Sequence, residues 1–244
     1  LLYWGFDTKP SSQKVVERSR QLSIKSTDIS SLLEDARKEL PAAAVATLAA
    51  SEQQLEAASA DSTRAGILKQ LAGQWYDYGF PAISGFYAEE VGKMENTAEA
   101  WSIAGSTYYI GIQRSEEKKV LDFCRDGALR CFESAVSLEP EVPEHQLNLA
   151  LTYTAAPPPD NPMKGVLMLR ELQQEFPDNA GVLIQLGRLA IQTGQYERAT
   201  ERLRQALEIE PDNPRAVCLL AEAWRALGQD ELAAPLEERC AENR

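Results

Sequence analysis

Large apolar and small residues alternate along most of this chain with a spacing that only paired helices satisfy. From Ala180 onward, Leu183, Leu186-Gly187 and Ala190 recur three and seven residues apart, then Gly194, Tyr196, Ala199, Leu203, Ala206 and Pro211 follow. Apolar positions so spaced share one side of a helix, while small residues let a second helix approach closely. Gly194 suits the turn between the two, and Pro211 ends the second because proline cannot continue a helix. The pattern returns 34 residues on, at Val217, Leu220-Ala221, Trp224, Gly228 and Ala233. Upstream it holds with insertions: Trp101, Ala104-Gly105, Tyr108, Ala128, Phe132, Ala135 and Pro140; then Leu149-Ala150, Tyr153, Gly165, Leu169, Leu172 and Pro177. A weaker copy runs through Leu68, Leu71-Ala72, Trp75, Gly79, Ser84, Ala88 and Val91. The spacing predicts helix pairs near 65–96, 98–139, 143–176, 180–210 and 214–241.

These residues resemble the tetratricopeptide repeat (TPR), W-x2-L-G-x2-Y followed by A-x3-F and then A and P. The resemblance covers five copies, 65–97, 98–142, 143–179, 180–213 and 214–244. It implies an all-α chain, a TPR-type right-handed superhelical solenoid of helical hairpins. The chain departs from the pattern at Gln146, in the Trp position, at Ala190, in the Tyr position, and at Glu237, in the Phe position. A polar residue suits Glu237, since a terminal repeat has no neighbour to bury that face. An insertion around Gln113–Lys119 carries helical charge and no breaker, which predicts that both helices of the second hairpin are lengthened. A second insertion, Pro157-Pro158-Pro159-Asp160-Asn161-Pro162, predicts an extended connector.

Residues 1–64 do not repeat. Ile29, Leu32, Leu33, Ala36 and Leu40 predict a helix over about 28–40 with Asp28 as its cap, and Pro41 opens an Ala-rich helix to about Ser59. With a weakly amphipathic segment over 13–25, residues 13–64 are expected to cap the N-terminal end of the solenoid, the alternative being that they fill its groove. Residues 1–12 begin Leu1-Leu2-Tyr3-Trp4-Gly5-Phe6 and turn polar at Asp7, Lys9 and Pro10. An aromatic cluster followed by Lys and Pro is how a transmembrane helix leaves the lipid, so we expect the end of a membrane anchor, with further apolar residues before Leu1. The chain thereby resembles membrane-anchored bacterial TPR proteins, its soluble domain on an unassigned side of the membrane or, without an anchor, cytoplasmic.

Composition narrows the function. With 44% hydrophobic and 25% charged residues the 244-residue chain is of globular type, and a net charge of -12 repels phosphate, which argues against nucleic acid as a partner. Cys124, Cys131, Cys218 and Cys240 are too scattered for a disulfide framework and read as core thiols. His145 has no second nitrogen or thiol ligand near it in sequence and reads as a solvated residue at a helix start, so no metal or cofactor site is expected. No phosphate-binding loop, HExxH or GxSxG occurs, and acid pairs such as Glu89-Glu90 and Glu116-Glu117 read as solvated charge, so no catalysis is expected.

In a TPR solenoid the first helices line the concave side, and the resemblance assigns that face residue by residue. It comprises Tyr76 in the first unit, Ser102, Ser106 and Tyr109 in the second, Leu147 and Leu151 in the third, Ile184, Arg188 and Ile191 in the fourth, and Glu222 and Arg225 in the fifth. TPR domains that clamp a chaperone's C-terminal carboxylate carry Lys and Asn where this chain has Ser102-Ser106 and Leu147-Leu151, which argues against that ligand. An apolar strip of Leu147, Leu151, Ile184 and Ile191 suits a peptide or amphipathic helix, with Arg188 and Arg225 for an acidic residue of it. The expected function is a noncatalytic protein-interaction scaffold. The alternative is a structural homo-oligomer, such as a homodimer, whose groove is filled by its own N-terminal segment.

Overall fold

Proline and glycine set the rhythm that the apolar pattern fills. The computed structural model describes residues 29–242, and among them it contains helices and no strand. The expected anchor over 1–12, the helix over 13–25 and the cap at Asp28 lie outside the described residues. Helix α1 covers 29–39, and α2 spans Ala42–Ala57 after Pro41. Four of the five hairpins that follow are α3 (Asp61–Asp77) with α4 (Pro81–Glu95), α5 (Ala98–Arg114) with α6 (Lys118–Leu138), α7 (Pro143–Ala155) with α8 (Lys164–Glu175), and α9 (Ala180–Gln192) with α10 (Tyr196–Ile209). The last pairs α11 (Pro214–Ala226) with α12 (Asp230–Glu242). This is an all-α solenoid of helical hairpins.

Local chemistry explains the boundaries. Thr97, Asn179 and Asn213 accept hydrogen bonds from backbone N–H groups in the first turns of α5, α9 and α11, satisfying donors that the helix itself cannot. The hairpin turns at Gly194 and Gly228 both need φ near 71°, a left-handed conformation that glycine adopts freely. Pro140, Pro177 and Pro211 each follow a second helix and stop it. The inserted residues lengthen the second hairpin, whose helices run 17 and 21 residues against 13 and 14 in the fourth.

Small residues set the spacing between stacked helices. A Cβ on Gly105 would stand 2.7 Å from a Phe132 ring carbon, and one on Gly187 would stand 2.7 Å from Leu203 Cγ. Both glycines occupy the same place in the repeat, where α5 meets α6 and α9 meets α10. The described N-terminal helices pack on this stack: Ile29, Leu32 and Ala36 of α1 and Leu48 of α2 join the core cluster that runs through α3, α4, α5 and α6. Arg37 of α1 pairs with Glu52 of α2 at 2.6 Å, and Tyr87 of α4 donates to the same carboxylate at 3.1 Å.

Two sequence readings are corrected here. Glu89 is not solvated: it is 5% exposed in α4, where Arg130 of α6 donates to both its oxygens at 3.2 and 2.9 Å and the Tyr108 hydroxyl donates at 2.9 Å. Burial alone would raise its pKa, but the hydrogen bond and charge of Arg130, with Lys93 and Tyr108, hold the carboxyl below the usual range. Nor are all four cysteines core thiols. Cys218 of α11 and Cys240 of α12 form a disulfide with Cα atoms 5.0 Å apart, because the hairpin sets them on facing sides of adjacent helices. Cys124 and Cys131 are buried free thiols, and burial pushes that of Cys124 up to about 12.

Candidate binding groove

Helix α5 has two faces of opposite use. Trp101, Ala104, Gly105 and Tyr108 turn toward the stack, whereas Glu99, Ile103 and Ser106, with Thr107 and Ile110 beside them, form the outer side. Ile103 is 56% exposed, the largest exposure among the big apolar side chains of the described residues. It stands as a ridge between two hollows. One of about 480 Å³ lies between α3 and α5 over α4, floored by Ala72, Gly73, Ser84, Ala88 and Ala100. The other, about 610 Å³ and more open, lies between α5 and the start of α7, bounded by Ser102, Ser106, Ile110, Val142 and His145. Tyr76 lines both, 39% exposed, with the Arg114 guanidinium 5.7 Å from its ring centre. At the far edge of the first hollow Lys69 and Glu95 pair at 2.6 Å.

His145 is not solvated as its position suggested; it is 8% exposed and clasped between two helices and a turn. Ser102 Oγ stands 2.9 Å from its Nδ1, and Glu139 Oε2 stands 3.3 Å from its Nε2. A carboxylate can only accept, so Nε2 donates to Glu139, while Nδ1 shares a hydrogen bond with the Ser102 hydroxyl. Serine, histidine and carboxylate thus stand in series, the order of a hydrolytic triad. A triad also needs donors for an oxyanion. Here Ser102 lies past the first turn of α5, where backbone N–H groups bond within the helix, and the His145 N–H donates to the Val142 carbonyl. The chain Ser102–His145–Glu139 ties α5 to α7 as a polar clasp. No group of three His, Cys, Asp or Glu side chains among the described residues is placed to hold a metal ion.

The residues assigned from sequence divide. Tyr76, Ser102 and Ser106 line the hollows, and Tyr109 packs against the N-terminal core. The apolar strip does not come together as an open surface. Ile184 is 3% exposed, joined in one core cluster with Ala216, Leu220 and Ala223 of α11, because α9 and α11 stack closely enough to cover it. Leu147 is half-buried and leans on the start of α9, its Cδ2 lying 3.0 Å from where a Cβ on Gly181 would stand; Leu151 and Ile191 are also half-buried. Arg188 bonds Gln185 at 3.0 Å, and Glu222 is exposed. Arg225 is not free for a ligand: it bonds Glu237 and, at 2.8 Å, Asp230, so it ties α11 to α12. The sequence reading missed Ile103, Thr107 and Ile110. The signal was present, since Glu99, Ile103, Ser106 and Ile110 fall at i, i+4, i+7 and i+11 opposite the core residues of α5.

Residues 190–236 match the model of a tetratricopeptide repeat family. Among solved structures, a thermophilic TPR protein of Thermus thermophilus is 20% identical at a TM-score of 0.53, with 73% of this chain and 90% of that chain covered. PilW, a type IV pilus biogenesis factor, is 19% identical at a TM-score of 0.51, covering 73% of this chain and 76% of that one. A MamA protein is 18% identical at a TM-score of 0.47, with 73% and 90% covered. No curated protein matches the chain. The chain carries TPR sequence in its C-terminal part and the helical-repeat fold of TPR proteins.

Proposed function

We propose that this chain is a noncatalytic scaffold that holds a peptide or amphipathic helix of a partner on its first-helix side, centred on α5 rather than on the strip at Leu147 and Ile184. One observation carries this reading: Ile103 stands 56% exposed between two hollows, the first floored by small side chains and the second bounded by Ser102, Ser106, Ile110 and Val142. Covering a side chain of that size stabilises by roughly 1.5 to 3 kcal/mol, and an adjoining hollow gives the covering group somewhere to lie. The Cys218–Cys240 bond supports a workplace in an oxidising compartment, since the cytosol keeps such pairs reduced. A photo-crosslinking residue placed at Ser106 tests the proposal in cells of the source organism, with Leu167, exposed on α8, as the control position. The expected result is a discrete adduct with another protein from position 106 and none from 167. An adduct of twice the chain mass would favour the homo-oligomer instead, and equal labelling from both positions would remove the groove from consideration.

A further inference from the structure

The first-helix groove has a charge pattern as well as an apolar ridge, and from it we infer that the occupant is a cationic amphipathic segment of a protein partner. The inference rests on the groove reading and adds the chemistry of what binds there. Glu99 lines both hollows and lies one turn before Ile103 on the exposed side of α5, and no side chain among the described residues neutralises it. Glu139 adds a second carboxylate at the edge of the α5–α7 hollow, 55% exposed even while it accepts from His145. Lys69, the ammonium that lines the first hollow, is already paired with Glu95. Anionic charge therefore flanks an apolar knob at the pitch of one helical turn.

A segment that covers Ile103 with an aliphatic side chain and sets Lys or Arg one turn away meets both features at once. A segment carrying Asp or Glu there would place like charges together at the edge of an apolar contact, which is unfavourable. The net charge of -12 works in the same direction at longer range, drawing a basic segment in.

The probes are two synthetic amphipathic peptides of one pattern, Leu on the apolar side and either Lys or Glu on the polar side, with a fluorophore for anisotropy. The intact chain should bind the Leu/Lys peptide and not the Leu/Glu peptide. Glu99→Lys should weaken Leu/Lys binding about tenfold, the size expected when one contact of a charge pair is reversed, and Ile103→Ser should weaken it by a similar factor. Glu208→Lys makes the same charge change on exposed α10 surface, so it should leave binding within about twofold if the contact is local rather than a response to net charge. Circular dichroism should be unchanged in all three and the fold retained, with melting lowered slightly at most in Glu99→Lys, where a cation enters the first turn of α5. Equal loss from Glu99→Lys and Glu208→Lys would overturn the inference, as would preference for the Leu/Glu peptide. If Leu/Glu wins and Ile103→Ser abolishes it, the groove stands and only its charge assignment fails. If neither peptide responds to Ile103→Ser, the groove reading fails with it.

Discussion

The buried carboxylate of Glu89 shows how a single side chain can be misread from its neighbours in sequence. Glu89 and Glu90 are adjacent and chemically identical, yet the helix turns one into the core and leaves the other at the surface, paired with Lys93. The partner that makes burial tolerable, Arg130, lies 41 residues away, so no local pattern announces it. Removing that partner should leave a desolvated charge, and Arg130→Met should cost about 3 kcal/mol at neutral pH, toward the low end for a buried pair because the guanidinium is partly exposed. The sign with pH is set by the depressed folded-state pKa. Stability from Glu89 is present above its ordinary value of 4.5 and is lost as pH falls through the lower folded value, so the native chain should weaken in acid below about 4.5. In Arg130→Met burial dominates and raises the folded pKa, so protonation no longer opposes folding. Urea titrations of both proteins at pH 7 and pH 4 should therefore show the deficit of the variant shrinking in acid; a constant deficit would mean that the Lys93 charge and the Tyr108 hydrogen bond keep Glu89 ionised without Arg130.

At the level of helices, most of the architecture was legible because the repeat writes it locally. Leu183, Leu186-Gly187 and Ala199 specify a helix, a close crossing and its partner within one unit, and caps and prolines sharpen the ends. What escaped depends on register between elements. Cys218 and Cys240 are 22 residues apart on different helices, and nothing in their spacing tells a bonded pair from two core thiols. Ile184 looked like groove because its repeat position faces the concave side in the family, and it became core because α11 stacks over it. The disulfide and the Arg225–Glu237 pair both tie α12 to α11. Closing a loop of that length should stabilise the terminal hairpin by about 3 kcal/mol, so Cys218→Ala with Cys240→Ala should loosen α12 before the rest melts. Thiol counting checks the pairing directly. The unreduced native chain should give no reactive thiol to an aromatic disulfide reagent, the denatured unreduced chain two, from Cys124 and Cys131, and the denatured reduced chain four. Four thiols without reductant would remove the disulfide, and with it the argument for an oxidising compartment.

Across the whole molecule, the core is divided unevenly, and this sets where the solenoid should open first. One cluster of 19 buried apolar residues links α1 through α6, including the large side chains Trp75, Tyr108 and Phe132. The next, formed from α7, α8 and one side of α9, holds five: Ala150, Leu169, Leu172, Val182 and Leu186. The proline-bearing connector joins the two helices of that weaker hairpin, and it includes no glycine and no buried residue. In a linear stack each hairpin is stabilised mainly by its neighbours, so a thin interface is where cooperativity breaks. The candidate groove lies on the thick side, with only its α7 edge, through His145, reaching the thin one. The platform for Ile103 and Glu99 should therefore stay folded when the C-terminal half opens. Hydrogen exchange followed by mass spectrometry in increasing urea provides the test. Peptides from α7 and α8 should lose protection at lower urea than peptides from α4, α5 and α6, and Ser102→Ala, which cuts the clasp to His145, should lower the midpoint for α7 while leaving that of α4 in place. A single midpoint shared by all peptides would mean that the three clusters act as one core, and that the groove opens whenever the solenoid does.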